Sequence, residues 1–167
     1  SRAIRQQYGL NYITAVPNNI YGLNDNFDLE NGHVIPAIIR KIWEAKESNK
    51  NPVFWGSGRA LREFTFAEDI ARALVLLVEN YDDPEPINIG SPGEVSILQV
   101  VEKISNCLNF LGETSWDLLK PEGQFRKPSS NEHFVKLFPS FRYTEFDKGI
   151  EKTCEWFTRR YPNVRGV

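Results

Sequence analysis

The run from Val53 to Phe64, Val-Phe-Trp-Gly-Ser-Gly-Arg-Ala-Leu-Arg-Glu-Phe, limits what this chain can fold into more than any other stretch. Val53-Phe54-Trp55 is apolar and reads as a short buried strand. It stops at Gly56-Ser57-Gly58, where backbone turns freely and can approach a ligand closely. Arg62-Glu63-Phe64-Thr65-Phe66 reads as a second strand. A glycine turn between two strands, with Arg59 and Arg62 beside it, can hold an anion, because a guanidinium offers a planar fork of donors that matches phosphate. The same letters fit a plain hairpin with two solvated arginines, and on local pattern alone that is the commoner case.

The rest of the composition decides where such an anion site can act. Twenty basic against 22 acidic residues give a net charge of −2, so the surface as a whole exerts no strong pull on nucleic acid or an anionic membrane. Any anion site must be local. A length of 167 residues with 41% hydrophobic residues suffices for one domain, or one large piece of a domain, with a core that needs no staples. No apolar run approaches a membrane span and no signal-peptide pattern opens the chain. Cys107 and Cys154 each fall on the apolar stripe of an expected helix, which predicts two buried structural thiols. No disulfide framework or metal-site spacing is visible, so no metal is expected and a reducing cytoplasm fits. Met is absent throughout, and Ser1-Arg2-Ala3-Ile4 resembles the tail of a helix. These features suggest a part of a longer protein.

In chain order, Ile4 to Tyr8 reads as a helix end closed by Gly9. Tyr12 to Val16 is β-branched and aromatic, predicting a buried strand. Pro17 to Gly22 follows as a loop leaving that strand's carboxyl end, where open α/β sheets gather their ligands. For Asn18 and Asn19 simple turn chemistry is an equal reading. Leu23 to Gly32, rich in Asn and Asp, reads as a loop that orders around ligand. A helix then runs to about Ser48, with Pro36 in its first turn and an apolar face of Val34, Ile35, Ile38, Ile39, Ile42 and Trp43. His33 stands at or just before its start. A free imidazole there can act as acid or base, and it can equally be a cap or a surface residue. Thr65 and Glu68 have capping-box spacing before a helix to about Asn80, and Ser96 and Gln99 repeat that spacing before a helix that Gly112 stops. Ile87-Asn88-Ile89 and Trp116 to Lys120 read as short strands. Pro121 to Ser130 reads as a loop whose Arg126-Lys127 pair is either a phosphate clamp or a solvated basic spot. Phe134 to Tyr143 reads as irregular. Thr144 is expected to cap a last helix bearing Ile150, Cys154 and Phe157, and the tail after Pro162 is expected to be loose.

Taken together, several of these segments resemble the GDP-L-fucose synthases, a family within the extended short-chain dehydrogenase/reductases. They are Val16-Pro17-Asn18-Asn19-Ile20-Tyr21-Gly22, Asp25-Asn26-Phe27, Gly32-His33-Val34-Ile35-Pro36-Ala37, Trp55-Gly56-Ser57-Gly58, Arg62-Glu63-Phe64, Glu68-Asp69, Ile87-Asn88-Ile89-Gly90 and Lys120-Pro121-Glu122-Gly123 with Arg126-Lys127. The Arg-x-Phe element with its acidic pair is shared by many nucleotide-sugar epimerases and dehydratases. The Asp-Asn-Phe, His-Val-Ile-Pro-Ala and Trp-Gly-Ser-Gly pieces point more narrowly.

The resemblance implies an α/β fold, a small mixed sheet with flanking helices, forming the C-terminal substrate-binding portion of a Rossmann-type extended short-chain dehydrogenase/reductase. It implies that residues 1–22 end the cofactor-binding domain and that 23–167 bind a nucleotide sugar. It implies an enzyme that epimerises and NADPH-reduces GDP-4-keto-6-deoxy-mannose, with NADP held mainly outside this chain, and a homodimeric parent whose isolated part is monomeric and inactive. By the same likeness His33 is the proton donor. Arg62 and Lys127 hold the diphosphate, Val34, Ile38, Phe54 and Trp55 line the pocket, and Asn19 and Ile20 border the nicotinamide. The family's glycine-rich fingerprint, its Tyr-x-x-x-Lys pair and its epimerase cysteine have no counterpart here. Pro128-Ser129-Ser130 replaces the family's usual apolar residue and Asp. A UDP- or dTDP-sugar epimerase or dehydratase, and a non-catalytic nucleotide-sugar module, are the alternatives.

Overall fold

A computed structural model describes residues 1–167. In chain order the elements are α1 (Arg2–Tyr8), β1 (Ala15–Val16), β2 (Asn19–Tyr21), α2 (Val34–Glu47), β3 (Val53–Trp55), β4 (Leu61–Phe66), α3 (Ala67–Asn80), β5 (Ile87–Asn88), β6 (Glu94–Ser96), α4 (Ile97–Cys107), β7 (Ser115–Asp117), α5 (Glu132–Leu137) and α6 (Phe146–Arg160). The fold is mixed α/β, with small sheets and flanking helices as expected. β4 lies between β2, which it meets in parallel with Tyr21 opposite Phe66, and antiparallel β6, with Arg62 opposite Val95. β1 pairs in parallel with β5, and β3 in parallel with β7.

Burial follows the periodicities. Ile35, Ile38, Ile39 and Ile42 form the inner face of α2, and Val100, Val101 and Ile104 that of α4. They meet Phe64 and Phe66 of β4 and Ile150 and Phe157 of α6 in one large apolar cluster. A second cluster joins Ile70, Ala73 and Leu77 of α3 to Ile87, Ile89 and Phe134, with Ala15 of β1 against it. At about 25 cal/mol per Å² of apolar surface removed from water, a fully buried side chain such as Phe157 contributes roughly 2–3 kcal/mol.

Several expectations are corrected. The turn at Gly56-Ser57-Gly58 does not close a hairpin, since β3 and β4 pair with different partners. β3 is buried only at Phe54, with Val53 and Trp55 outward, as strand alternation requires. Of the predicted strand from Tyr12 to Val16 only Ala15–Val16 forms, and Tyr12 and Val16 are exposed. Part of the predicted loop after it is instead strand β2. Thr65 caps nothing. Its hydroxyl donates to Asn18 Oδ1 at 2.5 Å and accepts the Ser91 N–H at 2.7 Å. Asn18 Nδ2 in turn donates to the Ser91 carbonyl at 3.1 Å, so Asn18 is a brace between segments rather than turn chemistry. The capping box at Ser96 and Gln99 does form, but α4 ends at Cys107, well before Gly112. Thr144 donates its N–H and hydroxyl to Asp69 at 2.7 and 3.0 Å, and α6 begins after Glu145. A short helix, α5, overlaps the start of the stretch read as irregular. Cys154 is buried, whereas Cys107 is exposed at the end of α4.

Candidate functional site

A cavity of about 810 Å³ opens between four regions: β2 with the loop after it, the N-terminus of α2, the Gly56–Arg62 turn, and residues 121–123. β2 and β4 are parallel neighbours, and both contribute to the lining: Asn19 and Ile20 from β2, Arg62 and Phe64 from β4.

His33 lines the cavity as the N-cap residue of α2, with extended backbone (φ −69°, ψ 165°) and no side-chain cap bond. Its ring is 83% exposed, and Nδ1 lies 3.9 Å from Asp25 Oδ1. The imidazole is therefore uncommitted. The loop that delivers Asp25 is ordered by its own side chains. Asp28 Oδ1 accepts the N–H groups of Glu30 and Asn31 at 3.0 and 2.6 Å, which holds the Asp28 carboxyl below its ordinary pKa. Phe27 is wholly buried beneath it, stacked with Trp156.

Across the cavity stands Arg62. One Nη donates to the Leu61 carbonyl at 2.6 Å and to the Phe125 carbonyl at 3.4 Å, and no carboxylate pairs with the guanidinium. Trp55 is exposed on the wall, with Lys120 Nζ 5.5 Å from its ring centroid. The glycine turn does hold an anion, and it is the chain's own: Ser57 N–H and Oγ donate to Glu122 Oε1 at 3.1 and 2.5 Å. Those bonds, led by the Ser57 hydroxyl, keep the Glu122 carboxyl below its ordinary pKa. Gly58 has φ +72°, and a Cβ there would come within 2.5 Å of the Trp116 ring.

The structure gathers His33, Val34, Trp55, Arg62, Asn19 and Ile20 around this one cavity. Asn19 Nδ2 is engaged with the Glu63 carbonyl at 2.7 Å, and Ile20 is exposed on the wall. Two of the expected lining residues stand elsewhere. Ile38 and Phe54 point into the apolar core, because they occupy inward positions of α2 and β3. Lys127 does not line the cavity either. It lies exposed in the 121–130 loop, next to Arg126, which is paired to Glu94 at 2.6 Å. That loop nevertheless runs beside β4. Leu61 N–H donates to the Phe125 carbonyl, Leu61 bridges Arg126, and Glu63 accepts Ser129 N–H at 3.1 Å and its hydroxyl at 2.5 Å. Lys127 thus follows the bridge on one strand as Arg62 follows it on the other. Ser129, within the departure from the family pattern, is one of the residues that fasten the loop. Neither cysteine lines the cavity.

Sequence reasoning missed Arg165. The tail is not loose: Val164 packs on the main core, and Arg165 lines the cavity. The adjacent Arg165-Gly166 pair was the available signal, since a glycine permits a backbone turn that sets its neighbour's direction.

Comparison with known proteins places the chain in a family. Over 167 residues the chain is 34% identical to the GDP-L-fucose synthase of Dictyostelium discoideum, covering 99% of this chain and 52% of that protein. It is 42% identical over 158 residues to the GDP-L-fucose synthase of Sinorhizobium fredii, covering 93% and 50%. The chain therefore spans about half the length of these curated relatives. The crystal structure of a GDP-L-fucose synthetase from Naegleria fowleri bound to NADP superposes with a TM-score of 0.92 at 36% identity, over 98% of this chain and 52% of that one. The sequence model of the NAD dependent epimerase/dehydratase family matches residues 1–90. With more than half its length in that match, the chain belongs to the NAD dependent epimerase/dehydratase family.

Proposed function

We propose that this chain is the substrate-binding part of a GDP-L-fucose synthase, in which the 810 Å³ cavity receives GDP-4-keto-6-deoxy-mannose. The observation that carries the reading is the convergence of His33, Arg62, Trp55 and Ile20 on one cavity from four separate segments. The named relatives, each about twice as long, support the same substrate class. Residues 1–22 belong with the cofactor-binding domain and 23–167 with the substrate domain. α3, β5 and α5 pack back toward β1 through the smaller apolar cluster.

In this reading Arg62 meets the diphosphate, where the unused part of its fork gives charge-assisted hydrogen bonds. Trp55 offers a flat apolar face to the nucleotide, and Val34 borders the sugar. His33 carries the acid chemistry. A base from the part of the protein outside this chain would take a proton from a carbon beside the ketone, leaving an enolate, and a protonated imidazole on the other face gives a proton to that carbon. The exposed, uncapped ring beside Asp25 suits that task because no other bond holds its nitrogens. The apolar side chain of Ile20 suits the face of a nicotinamide, and Ile20 and Asn19 would border it. Bound NADPH would supply a hydride for the ketone. Lys127 is proposed as a second cation that swings from the exposed loop toward the diphosphate. The two unbridged cysteines accord with a cytoplasmic setting.

Calorimetric titration of the chain with GDP, UDP and dTDP tests this. GDP should bind in preference to the other two, and Arg62→Ala should weaken GDP at least about tenfold, the loss of one charge-assisted hydrogen bond. Equal affinity of wild type and variant would remove Arg62 from the site, and preference for UDP or dTDP would assign the cavity to a different nucleotide sugar.

A further inference from the structure

The C-terminal tail is held by bonds that leave one side chain free. Phe27 N–H donates to the Arg165 carbonyl at 2.9 Å. Arg40 Nη1 donates to the Gly166 carbonyl at 2.5 Å and to the Phe27 carbonyl at 3.3 Å. Gly166 has φ +88°, and a Cβ there would sit 2.2 Å from Asn26 Oδ1 and 2.5 Å from the Asp28 backbone nitrogen. Only glycine passes through that slot. The backbone around Arg165 is thus fixed, yet its guanidinium has no hydrogen-bond or ion-pair partner in the chain and borders the cavity.

Its place in the cavity sets its chemistry. Arg165 is tied to Phe27, two residues from Asp25, and Asp25 is the neighbour of His33. Arg62 belongs to the other wall, with Gly58 and residues 121–123. If the acid His33 faces the reacting sugar carbon, the groups within reach of Arg165 are sugar oxygens rather than phosphates. A guanidinium carries five N–H donors in a rigid fork and no acceptor, which suits two neighbouring hydroxyls of a ring.

We propose that Arg165 is a specificity-determining residue that hydrogen-bonds the glycosyl part of the bound nucleotide sugar. The proposal rests on the GDP-sugar reading of the cavity. Calorimetry with two probes, GDP and GDP-mannose, on wild type, Arg165→Ala and Arg165→Met tests it. Arg165→Met keeps an apolar stem of similar reach, so a loss shared by both variants is not a packing defect. Both variants should bind GDP within twofold of wild type and bind GDP-mannose about tenfold more weakly, with unchanged thermal midpoints. Unchanged affinity for GDP-mannose, or equal losses for GDP and GDP-mannose, would overturn the proposal. A wild-type chain that binds no GDP would overturn the functional reading itself, and this proposal with it.

Discussion

At the scale of single residues, the two cysteines show how neighbours set reactivity. Cys107 is exposed at the end of α4 and Cys154 buried in α6, and the two thiols meet where these helices pack. The Cys154 thiol, brought beside it where α4 and α6 pack, lowers the Cys107 pKa to about 7, while the same proximity and burial push Cys154 up. Because the thiolate is the nucleophile, alkylation of Cys107 by iodoacetamide should rise as pH climbs through about 7. Cys154→Ala removes that neighbouring thiol, so the midpoint of that profile should move upward toward the ordinary thiol value. A midpoint unmoved by the substitution would show that the two sulfurs do not communicate. Reading from sequence placed both cysteines on apolar stripes and treated them alike. The buried stripe of α4 runs from Val100 and Val101 through Ile104 to its C-cap Leu108, and Cys107 stands on the flank of that stripe, facing out.

Individual elements are joined by buried polar groups whose partners are distant in sequence. Asp69, in the first turn of α3, is 1% exposed and accepts from Thr144 N–H and Oγ1 and from Arg72. One carboxylate therefore ties the start of α3 to the segment that launches α6. Asp69→Ala leaves the Thr144 donors without an acceptor, and should cost about 3 kcal/mol of unfolding free energy in urea. A loss below about 1 kcal/mol would mean that water replaces the carboxylate, as at a surface pair. This tie also explains which local signals could be read from sequence. The Ser96–Gln99 capping box forms because both partners lie within one turn of each other. The equally spaced Thr65–Glu68 pair does not, because Thr65 is held by Asn18 and Ser91. Strand β2 was invisible for the same reason: three residues become a strand only when β4 lies alongside.

Across the whole molecule, α2, α3, α4 and α6 were legible in the 3.6-residue periodicity of apolar side chains, and the mixed α/β class in the likeness to a family. The cavity was legible only in part. His33, Arg62 and Trp55 were identified by their likeness to a family, whereas Arg165 depends on where the tail returns, which no local pattern records. Ile38 and Phe54 were misplaced because apolar residues next to a pocket and behind its wall look alike in sequence. The two apolar clusters divide the chain unevenly, and exposed Tyr8, Leu10, Tyr12 and Val16 gather near β1. The central claim is that one cavity joins the imidazole of His33 and the guanidinium of Arg62 to the same ligand. A crystal structure of the chain grown with GDP-mannose measures this directly. The account predicts the diphosphate on Arg62 and the hexose beside His33, spanning the cavity between them. A ligand bound on another face, or touching only one of these two side chains, would contradict it.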